Sequence, residues 1–377
     1  MLLSPTHQCF RAELREFCLQ TIQPRAQRSD VEGKFVFENV RAMAERGLLG
    51  IPWPKELGGL GLDYLSYAIA VEEVSRVCAS TGITLAAHTS LGTYPIYKFG
   101  TPAQKQKYVP PLARGDHLGS FGLTEPNAGS DAAGIETSAR KTEAGYIING
   151  SKRFITSAAF AGTVIVAATL DRSLGRKGIT CFIVETGMPG FAVTGEEDKL
   201  GLRASNTAEL AFDDMLVPLD CVLGQEFDGY RIFMETLDGG RISIGAFCLG
   251  MAQTSLDTLV KWHAKHKTIS QVASKAISDV AVLVEAARQL VYHAAVTKDA
   301  GIRADKECAF AKLFASEVAV RAADIAIDTI GPEALTSALP LERVYRDAKL
   351  GEIGEGTSEV MRMIIAKEVL KEAVITL

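Results

Sequence analysis

The sequence predicts an α+β fold with an N-terminal helical domain, a middle β-barrel or sandwich domain and a C-terminal four-helix bundle. The chain has 377 residues, which is too long for one small core and fits two or three packed units. The spacing of apolar residues changes from helical to alternating at about Leu118 and returns to helical at about Gly229. We therefore expect domains over residues 1–118, 119–227 and 228–377.

Helical periodicity dominates the N-terminal part of the chain. Apolar residues recur every three or four positions over residues 37–46 and 64–77, which predicts two helices. Glycines and prolines between these segments indicate turns. Thr101 followed by Pro102 has the form of a capped helix start, because proline fits the first helical position.

Short apolar runs separated by glycine and aspartate predict strands in the middle region. The predicted strands cover residues 146–148, 153–155, 164–168, 179–184 and 210–212. Asn149 and Gly150 tolerate positive φ, so we expect a tight hairpin between the first two strands. Several short strands at this spacing are typical of a barrel or sandwich.

Long and nearly unbroken helical periodicity fills the last part of the chain. The candidate helices cover residues 242–262, 277–298, 306–330 and 358–373. Helices of this length with few breaks are typical of a bundle. The sequence therefore predicts that the C-terminal domain is helical throughout.

Composition excludes several classes of protein. The net charge of −5 offers no basic surface, so we expect no nucleic-acid partner. No apolar run approaches the roughly 18 residues of a membrane-spanning helix, and residues 1–5 are too short and broken for a signal peptide. Seven scattered cysteines without a C-x-x-C pair indicate reduced thiols, no metal site and a cytoplasmic protein.

The loop of residues 121–131 is rich in glycine, serine, threonine and asparagine. Such a loop presents several backbone N–H groups at once, and these bind phosphates or the polar edges of rings. A polar connection into the β region explains the same composition equally well. On its own, the loop is therefore a candidate ligand site and no more.

Glu355 is a candidate general base, because glycines flank it and Thr357 or Ser358 can cap the following helix. Small neighbours let a ligand approach the backbone closely. The helix N-terminus lowers the pKa of a carboxylate, whereas burial against an apolar ligand raises it. Taken alone, a glutamate in this position is more often a solvated residue at a helix start.

Two further segments carry weaker signals. Residues 237–241 place an acid and a fixed cation at the expected start of a long helix, which suits the polar end of a ligand or simple charge balance. Residues 154–157 end a strand with an aromatic residue beside a hydroxyl, which is also ordinary strand composition.

Together these segments resemble the acyl-CoA dehydrogenase family over nearly the whole chain. The motifs T-E-P-x-x-G-S-D, N-G-x-K-x-F-I-T, L-D-G-G-R, Y-R-D-A-K and E-G-T-S-E occur in that order at domain-scale spacing. The resemblance implies the same three-domain fold, with FAD held where the β domain meets the helices. It also implies a homo-oligomer, usually a tetramer or dimer.

The resemblance assigns roles to individual residues. Glu355 matches the family's base, and the alternative position in residues 239–262 contains no glutamate. The implied cofactor-binding residues are Phe121, Leu123, Thr124, Gly129, Ser130, Phe154, Ile155, Thr156, Thr357, Ser358 and Glu359. The implied substrate-binding residues are Ser130, Asp238, Arg241 and Gly356.

Two segments depart from the family pattern. Many members carry R-x-x-F-G where this chain has residues 266–270, and His266 stands at the place of the arginine. A Q-x-x-G-G-x-G stretch is replaced by residues 328–334, which contain Asp328 and Pro332. Histidine lacks the forked donors that suit a diphosphate. The resemblance therefore implies intact contacts to the flavin ring and weaker contacts to the ADP half.

The implied reaction is α,β-dehydrogenation of an acyl-CoA thioester, with Glu355 removing the α-proton and FAD accepting a hydride. Electrons would then pass to an electron-transfer flavoprotein. One alternative is the same chemistry on an acyl carrier protein. Another is a cofactor-poor, non-catalytic subunit, which the two altered segments favour and the retained Glu355, Thr124 and Thr156 oppose. The acyl chain length has no signature in the sequence.

Overall fold

The computed structural model describes residues 2–267 and 270–376, and its chain begins with seven α-helices. These are α1 (Pro5–Phe17), α2 (Gln23–Glu32), α3 (Phe37–Glu45), α4 (Tyr64–Val77), α5 (Ala79–Ala87), α6 (Tyr94–Phe99) and α7 (Pro102–Arg114). The two helices predicted from periodicity are confirmed as α3 and α4. The predicted start of α7 is also confirmed, since Thr101 and Gln104 form a capping box through their side chains and backbone N–H groups.

Eight strands follow and form one mixed sheet. They are β1 (Leu118–Gly122), β2 (Ser138–Lys141), β3 (Tyr146–Thr156), β4 (Ala161–Thr169), β5 (Ile179–Glu185), β6 (Phe191–Glu196), β7 (Thr207–Val217) and β8 (Val222–Leu223). The strand order is β6-β7-β3-β2-β4-β5-β8, and β1 pairs with β4 in parallel. The predicted β domain between two helical regions is confirmed.

The predicted hairpin at Asn149 and Gly150 is wrong. Strand β3 runs through both residues without a turn, and its register against β7 shifts between Ile148 and Gly150. Gly150 has a φ of +144°, and a Cβ atom there would stand 2.6 Å from the Thr137 backbone. The glycine therefore serves an irregularity within one strand, which needs the same backbone freedom as a turn.

Five helices complete the chain. They are α8 (Gly229–His266), α9 (Gln271–Asp299), α10 (Asp305–Ile330), α11 (Leu341–Ala348) and α12 (Ser358–Thr376). The predicted C-terminal helix bundle is confirmed. Residues 237–241, expected to open a helix, instead lie within α8, because its first helical residue is Gly229. The adjacent Gly239 and Gly240 misled the interpretation, since each leaves room for a side chain from another element.

Two apolar cores organise these elements. The larger one includes residues of the N-terminal helices, the bundle and one face of the sheet, whereas the smaller one lies within the β domain. Helix α8 lies centrally and contacts α4, α5, α9, α10 and β5. No helix among the described residues is long and apolar enough to cross a membrane. Side chains borne by α8 therefore meet elements from all three parts of the chain.

Candidate active site

Glu355 lies in the short turn that precedes α12. Its φ is +55° and that of Gly356 is +103°, so two successive residues occupy the left-handed region of backbone space. A non-glycine residue in that region costs on the order of 1–3 kcal/mol and persists only where its surroundings hold it. The Thr357 hydroxyl accepts a 3.3 Å hydrogen bond from the Val360 N–H, which confirms the predicted cap of the following helix.

The Glu355 carboxylate rests against a glycine of α8. A Cβ atom at Gly240 would stand 1.8 Å from Glu355 Oε2 and 3.0 Å from the Leu91 side chain. Only glycine therefore fits beneath the carboxylate. Although Glu355 as a residue is partly exposed, its Oε2 atom is shielded from solvent and has no hydrogen-bond partner within residues 2–267 and 270–376. A shielded oxygen without a hydrogen-bond partner costs free energy, and a bound ligand can supply the missing partner.

Burial raises the pKa of Glu355 to about 8, while the cationic side chains of Arg241 and Lys312 act in the opposite direction. A base works best when its pKa lies near the operating pH, because it then both accepts and releases a proton readily. The environment therefore suits Glu355 to proton transfer and distinguishes it from an ordinary surface carboxylate.

Asp238 and Arg241 lie one turn apart on α8 and flank Gly240. Arg241 is almost completely buried and forms an ion pair with Asp238 through Nη1. Its Nε atom is buried and has no hydrogen-bond partner in the part of the chain that the structure describes. Burial raises the pKa of Asp238 to about 6, although Arg241 opposes the shift. The pair thus brings an unused guanidinium donor close to Glu355.

The residues after Glu355 differ in accessibility. The Gly356 carbonyl accepts a 2.5 Å hydrogen bond from the Lys312 ammonium group. Ser358 is buried, and its hydroxyl has no partner among the described residues. Glu359 is exposed on the first turn of α12. Of these implied cofactor contacts, the Ser358 hydroxyl is the one that most needs a ligand.

The end of β3 turns one aromatic ring toward solvent. Phe154 has a φ of +58° and is 56% exposed, and the Arg153 guanidinium lies 4.9 Å from its ring centroid. Thr156 is partly exposed at the end of the same strand. Ile155 faces the opposite way, into the core of the β domain, so only its backbone is available to a cofactor. The buried hydroxyl of Ser157 has no partner within the described chain.

A buried ion pair holds the loop of residues 121–131 in place. Lys152 on β3 is only 1% exposed and donates a 2.6 Å hydrogen bond to Glu125 Oε1. The Glu125 carboxylate also accepts the backbone N–H groups of Glu136 at 2.5 Å and Thr137 at 3.0 Å. These contacts fix the loop against β3, next to the strand end that carries the exposed ring.

The outer residues of this loop remain accessible. Thr124 is partly exposed, and its carbonyl accepts a 2.9 Å hydrogen bond from the Arg153 N–H. Gly129 and Ser130 are exposed, and a Cβ atom at Gly129 would meet nothing within 4 Å. The segment therefore offers open backbone to a ligand on a support that its buried half makes rigid.

Phe121 and Leu123 form the inner side of the loop. Both are partly buried against the larger core, and the Phe121 ring lies 4.4 Å from the Phe233 ring of α8. The Leu123 carbonyl accepts a 3.2 Å hydrogen bond from Lys152 Nζ. The inner side of the loop therefore contacts the same helix that supports Glu355.

A π-helical segment, His88–Thr93, joins the two halves of the site. Leu91 lies beside Gly240, as described above, and the next residue, Gly92, packs on Gly119 of β1. A Cβ atom at Gly92 would stand 2.4 Å from the Gly119 carbonyl carbon, so the two backbones touch. Helical segments of this rare type occur frequently at functional sites.

These groups fit a flavin dinucleotide. The exposed Phe154 ring suits a flat aromatic surface, and the hydroxyls of Ser157 and Ser358, which have no partner among the described residues, suit polar edges. The open backbone around Gly129 suits a phosphate. With a buried, unpartnered carboxylate beside them, the fold and the site define a flavin-dependent oxidoreductase.

Comparison with known families makes the assignment specific. The chain matches the acyl-CoA dehydrogenase N-terminal domain over residues 4–116, the middle domain over residues 120–215 and the C-terminal domain over residues 228–370. The protein therefore belongs to the acyl-CoA dehydrogenase family, an oxidoreductase family, as its motifs predict.

Two curated bacterial relatives resemble the chain over almost its full length. A probable acyl-CoA dehydrogenase of Bacillus subtilis is 46% identical over 376 residues, covering 98% of this chain and 99% of that one. A short-chain specific acyl-CoA dehydrogenase of Clostridium acetobutylicum is 44% identical, again covering 98% and 99%. The likeness therefore extends through all three domains.

Solved structures agree. Butyryl-CoA dehydrogenase from Megasphaera elsdenii has a TM-score of 0.95 and 40% identity, covering 98% of this chain and 99% of that one. A chain from a structure of the electron transferring flavoprotein of Acidaminococcus fermentans has a TM-score of 0.96 and 43% identity, with the same coverage. An acyl-CoA dehydrogenase from Bacillus anthracis, solved with FAD, has a TM-score of 0.91 and 30% identity, covering 99% and 68%. The cofactor is FAD.

Sequence reasoning missed Lys312 and the buried hydroxyls near Gly240. Lys312 lies on a helix face otherwise made of small residues, with Cys308, Ala315 and Ser316 one turn away. A single lysine on a helix face of small, buried residues is unusual, and this pattern could have identified Lys312 from the sequence. The hydroxyls of Tyr67 and Ser243 had no such signal, because their meeting depends on how separate helices pack.

Proposed function

We propose that the protein removes hydrogen from the α and β carbons of a short acyl-CoA thioester and that Glu355 is the base. The observation that carries this proposal is the buried Oε2 atom of Glu355, which rests on Gly240 without a hydrogen-bond partner in the described chain. A proton acceptor needs an uncommitted lone pair, and this oxygen provides one. The family and the short-chain relative supply the substrate class.

Glu355 accepts the α-proton, and the shift of its pKa toward 8 favours the resulting carboxylic acid in the buried site. The α-carbon becomes acidic enough only if the thioester carbonyl oxygen receives hydrogen bonds. The Glu355 backbone N–H donates no hydrogen bond within the described residues, so it is free to serve that oxygen. Bound FAD supplies the acceptor for the hydride that leaves the β-carbon.

A wall of buried hydroxyls supports a short acyl chain. Ser243, one turn beyond Gly240 on α8, donates 2.8 Å to the Gly240 carbonyl and lies 3.1 Å from the Ser90 hydroxyl. Ser90 and Tyr67 both donate to the Ala86 carbonyl, at 2.7 and 2.9 Å. All three hydroxyl residues are fully buried.

This wall acts as a stop, because each of its donors already has an acceptor. Parting Ser90 from Ser243 to admit a longer chain would leave buried polar atoms unpaired, which is costly. The wall therefore favours a chain that ends near Leu91 and offers little to a polar acyl terminus. The butyryl-CoA dehydrogenase among the similar structures supports the same size.

We further propose CoA as the carrier and an electron-transfer flavoprotein as the protein that reoxidises the enzyme. The similar chain from the Acidaminococcus flavoprotein structure supports this partner. A homo-oligomer is proposed as well, since α12 exposes Met363, Leu370 and Val374. Exposed apolar surface of this kind favours association. A carrier-protein thioester remains the alternative substrate.

The test compares Glu355→Gln with Glu352→Gln. Glu352 lies three residues earlier and forms an ion pair with Lys349 at 2.5 Å, so it provides the same chemical change outside the base position. The flavin-loaded proteins are mixed with butyryl-CoA, with octanoyl-CoA and with butyryl carrier protein, and bleaching of the flavin absorption is followed. We expect Glu355→Gln to bleach about 10²–10⁴-fold more slowly at unchanged flavin content. Rapid bleaching by Glu355→Gln would exclude Glu355 as the base.

A further inference from the structure

We infer that Lys312 on α10 is a positioning residue for the base: it clamps the turn that carries Glu355 and places a positive charge near its carboxylate without contacting it. This inference rests on the proposed role of Glu355. Lys312 lies 44 residues before Gly356 along the chain, and nothing in the motifs assigns it a role.

The clamp is a direct contact. Lys312 is completely buried, and its Nζ atom donates a 2.5 Å hydrogen bond to the Gly356 carbonyl oxygen. Glu355 and Gly356 are the two residues with positive φ, so the bond holds the strained part of the turn. Backbone of this kind persists only where neighbouring groups over-determine it. A flexible turn would let the carboxylate leave the space beside Gly240.

Lys312 also interacts with Glu355 through its charge. Burial lowers the pKa of Lys312, while Cys248, Glu355 and Glu352 act to raise it and Arg241 acts to lower it. Burial raises the pKa of the Cys248 thiol to about 12, so that group is neutral at ordinary pH. The anionic groups acting on Lys312 are therefore carboxylates.

Those carboxylates differ in what else they bind. Glu352 forms its ion pair with Lys349, and Glu359 is exposed on α12, where Lys312 also acts on it. Glu355 has an oxygen without a partner among the described residues. Burial raises the pKa of the Tyr67 phenol of α4, and the charge of Glu355 adds to that shift. The lysine charge therefore acts chiefly on the base.

The absence of direct contact between Lys312 and Glu355 matters for proton transfer. A hydrogen bond from the ammonium group to Oε2 would occupy the lone pair that accepts the α-proton. Because Lys312 binds the next carbonyl instead, its charge favours ionised Glu355 while the oxygen stays open to substrate. The charge of Lys312 therefore acts on the Glu355 carboxylate, whereas its hydrogen bond goes to the Gly356 carbonyl.

Two substitutions separate the clamp from the charge. Lys312→Gln keeps a donor for the Gly356 carbonyl and removes the charge, whereas Lys312→Met removes both. Lys306→Gln is the control, because Lys306 lies on the same helix and pairs with Glu372 at the surface. The pH dependence of kcat/KM for butyryl-CoA, the flavin content and the melting temperature are measured for each flavin-loaded enzyme.

We expect both Lys312 variants to shift the acidic limb of the pH profile upward by about one unit, since an opposite charge has been removed from the base. That shift gives roughly tenfold lower kcat/KM at low pH, regained at high pH. Lys312→Met should also lose kcat at every pH, because the turn is released. Lys306→Gln should keep the wild-type profile.

An unshifted profile in folded, flavin-loaded Lys312→Gln would overturn the inference. Failure of that variant to yield a folded flavoprotein would overturn it too, because the charge could then not be separated from the clamp. Retained turnover in Glu355→Gln is a different outcome, which removes the base itself and not only its positioning residue.

Discussion

Two buried lysine–glutamate neighbourhoods of this protein behave in opposite ways. In the β domain, Lys152 contacts Glu125 directly at 2.6 Å, and two backbone N–H groups donate further hydrogen bonds to the same carboxylate. Burial alone would raise the pKa of Glu125, but Lys152 and these hydrogen bonds hold it below the ordinary value. In the bundle, Lys312 binds a backbone carbonyl, and burial raises the pKa of Glu355 to about 8.

The difference shows what separates a structural carboxylate from a reactive one. A buried ammonium group is present in both places, and burial acts to raise the pKa of both carboxylates. What changes is whether the carboxylate lone pairs are occupied. Glu125 has its partners and fixes a loop, whereas Glu355 has an unpartnered oxygen within the described chain and is suited to bind a proton.

Breaking the Lys152–Glu125 pair should have the largest effect. Glu125→Gln leaves a buried ammonium group without its counter-charge, which destabilises a protein by about 3–5 kcal/mol. We expect a lower melting temperature and a loss of bound flavin, because the loop of residues 121–131 is released. Calorimetry and flavin absorption measure both. Glu136→Gln changes an exposed carboxylate beside the same loop and should leave both unaffected. An unchanged melting temperature in Glu125→Gln would show that the pair is not structural.

Removing the second cation near Glu355 should have a smaller effect. Arg241 has an unused buried donor, and a hydrogen bond to a charged group contributes roughly 1.5–3 kcal/mol. Arg241→Ala should therefore raise the KM for butyryl-CoA about 10–100-fold while flavin content is kept. Arg231→Ala, at an exposed site on the same helix, is the control. Loss of flavin with an unchanged KM would place Arg241 at the cofactor instead.

The pH dependence of the wild-type enzyme sharpens the contrast further. Only ionised Glu355 accepts a proton, so a pKa of about 8 predicts that kcat/KM rises with pH and levels off above that value. Each pH unit below it should reduce kcat/KM about tenfold. Steady-state assays over roughly pH 6–9 measure this. A flat profile over that range would mean that Glu355 ionises as an ordinary carboxylate.

A third region lacks the arginine that many family members carry. His266, at the place of the family's arginine, lies with its ring 4.3 Å from the Trp262 ring, and its Nδ1 atom pairs with the Trp262 carbonyl at 2.8 Å. Trp262 also donates a hydrogen bond to Glu333, so both altered segments contact this side chain, which lines a cleft of about 470 Å³. Thr268 and Ile269, part of the same altered segment, lie outside the described residues.

FAD retention should therefore be weaker than in relatives with the arginine, and the point change should help least. The resemblance also implies that the segment after His266 is several residues shorter than in the family. We expect His266→Arg to recover little, because the residue at this position lies on Trp262, and a variant that also restores the missing residues to recover more. The limit is about one to two decades of affinity for one charge-assisted hydrogen bond. Flavin occupancy after extensive dialysis measures this, with Lys265→Arg as the control. Stoichiometric FAD in the dialysed wild type would contradict the prediction.

The fold followed from the sequence wherever the signal was local. The capping box at Thr101 and the periodicity of α4 and α10 depend on neighbouring residues, and these predictions are confirmed. Glycines misled, because Gly150 and Gly240 were interpreted through turn and helix-start rules. Their actual role is to admit a neighbour from elsewhere in the chain, which the local sequence does not record.

The candidate site was likewise predictable only where its features depend on local sequence. Glu355 stands out in its motif, but its burial and its raised pKa depend on α8 and α10, which contribute Gly240, Arg241 and Lys312. The outward direction of Phe154 and the inward direction of Ile155 follow from the register shift between Lys152 and Ile155, where Phe154 has a positive φ, because regular alternation from the buried Lys152 would turn Phe154 inward. Lys312 was missed because its contact with Gly356 arises only from tertiary packing.

The closeness of Gly240 and Glu355 has a consequence for how such an enzyme can change. The first side-chain atom of any larger residue at position 240 would enter the volume that the Glu355 carboxylate now fills. A larger side chain at position 240 and the Glu355 carboxylate therefore cannot occupy this volume together, although the two positions lie 115 residues apart, counting from 240 to 355. A base could relocate from the turn to the helix only if the turn gave up its own side chain. A sequence that gains an acid at one position must lose it at the other, so the two residues are expected to vary together in descendants of this fold.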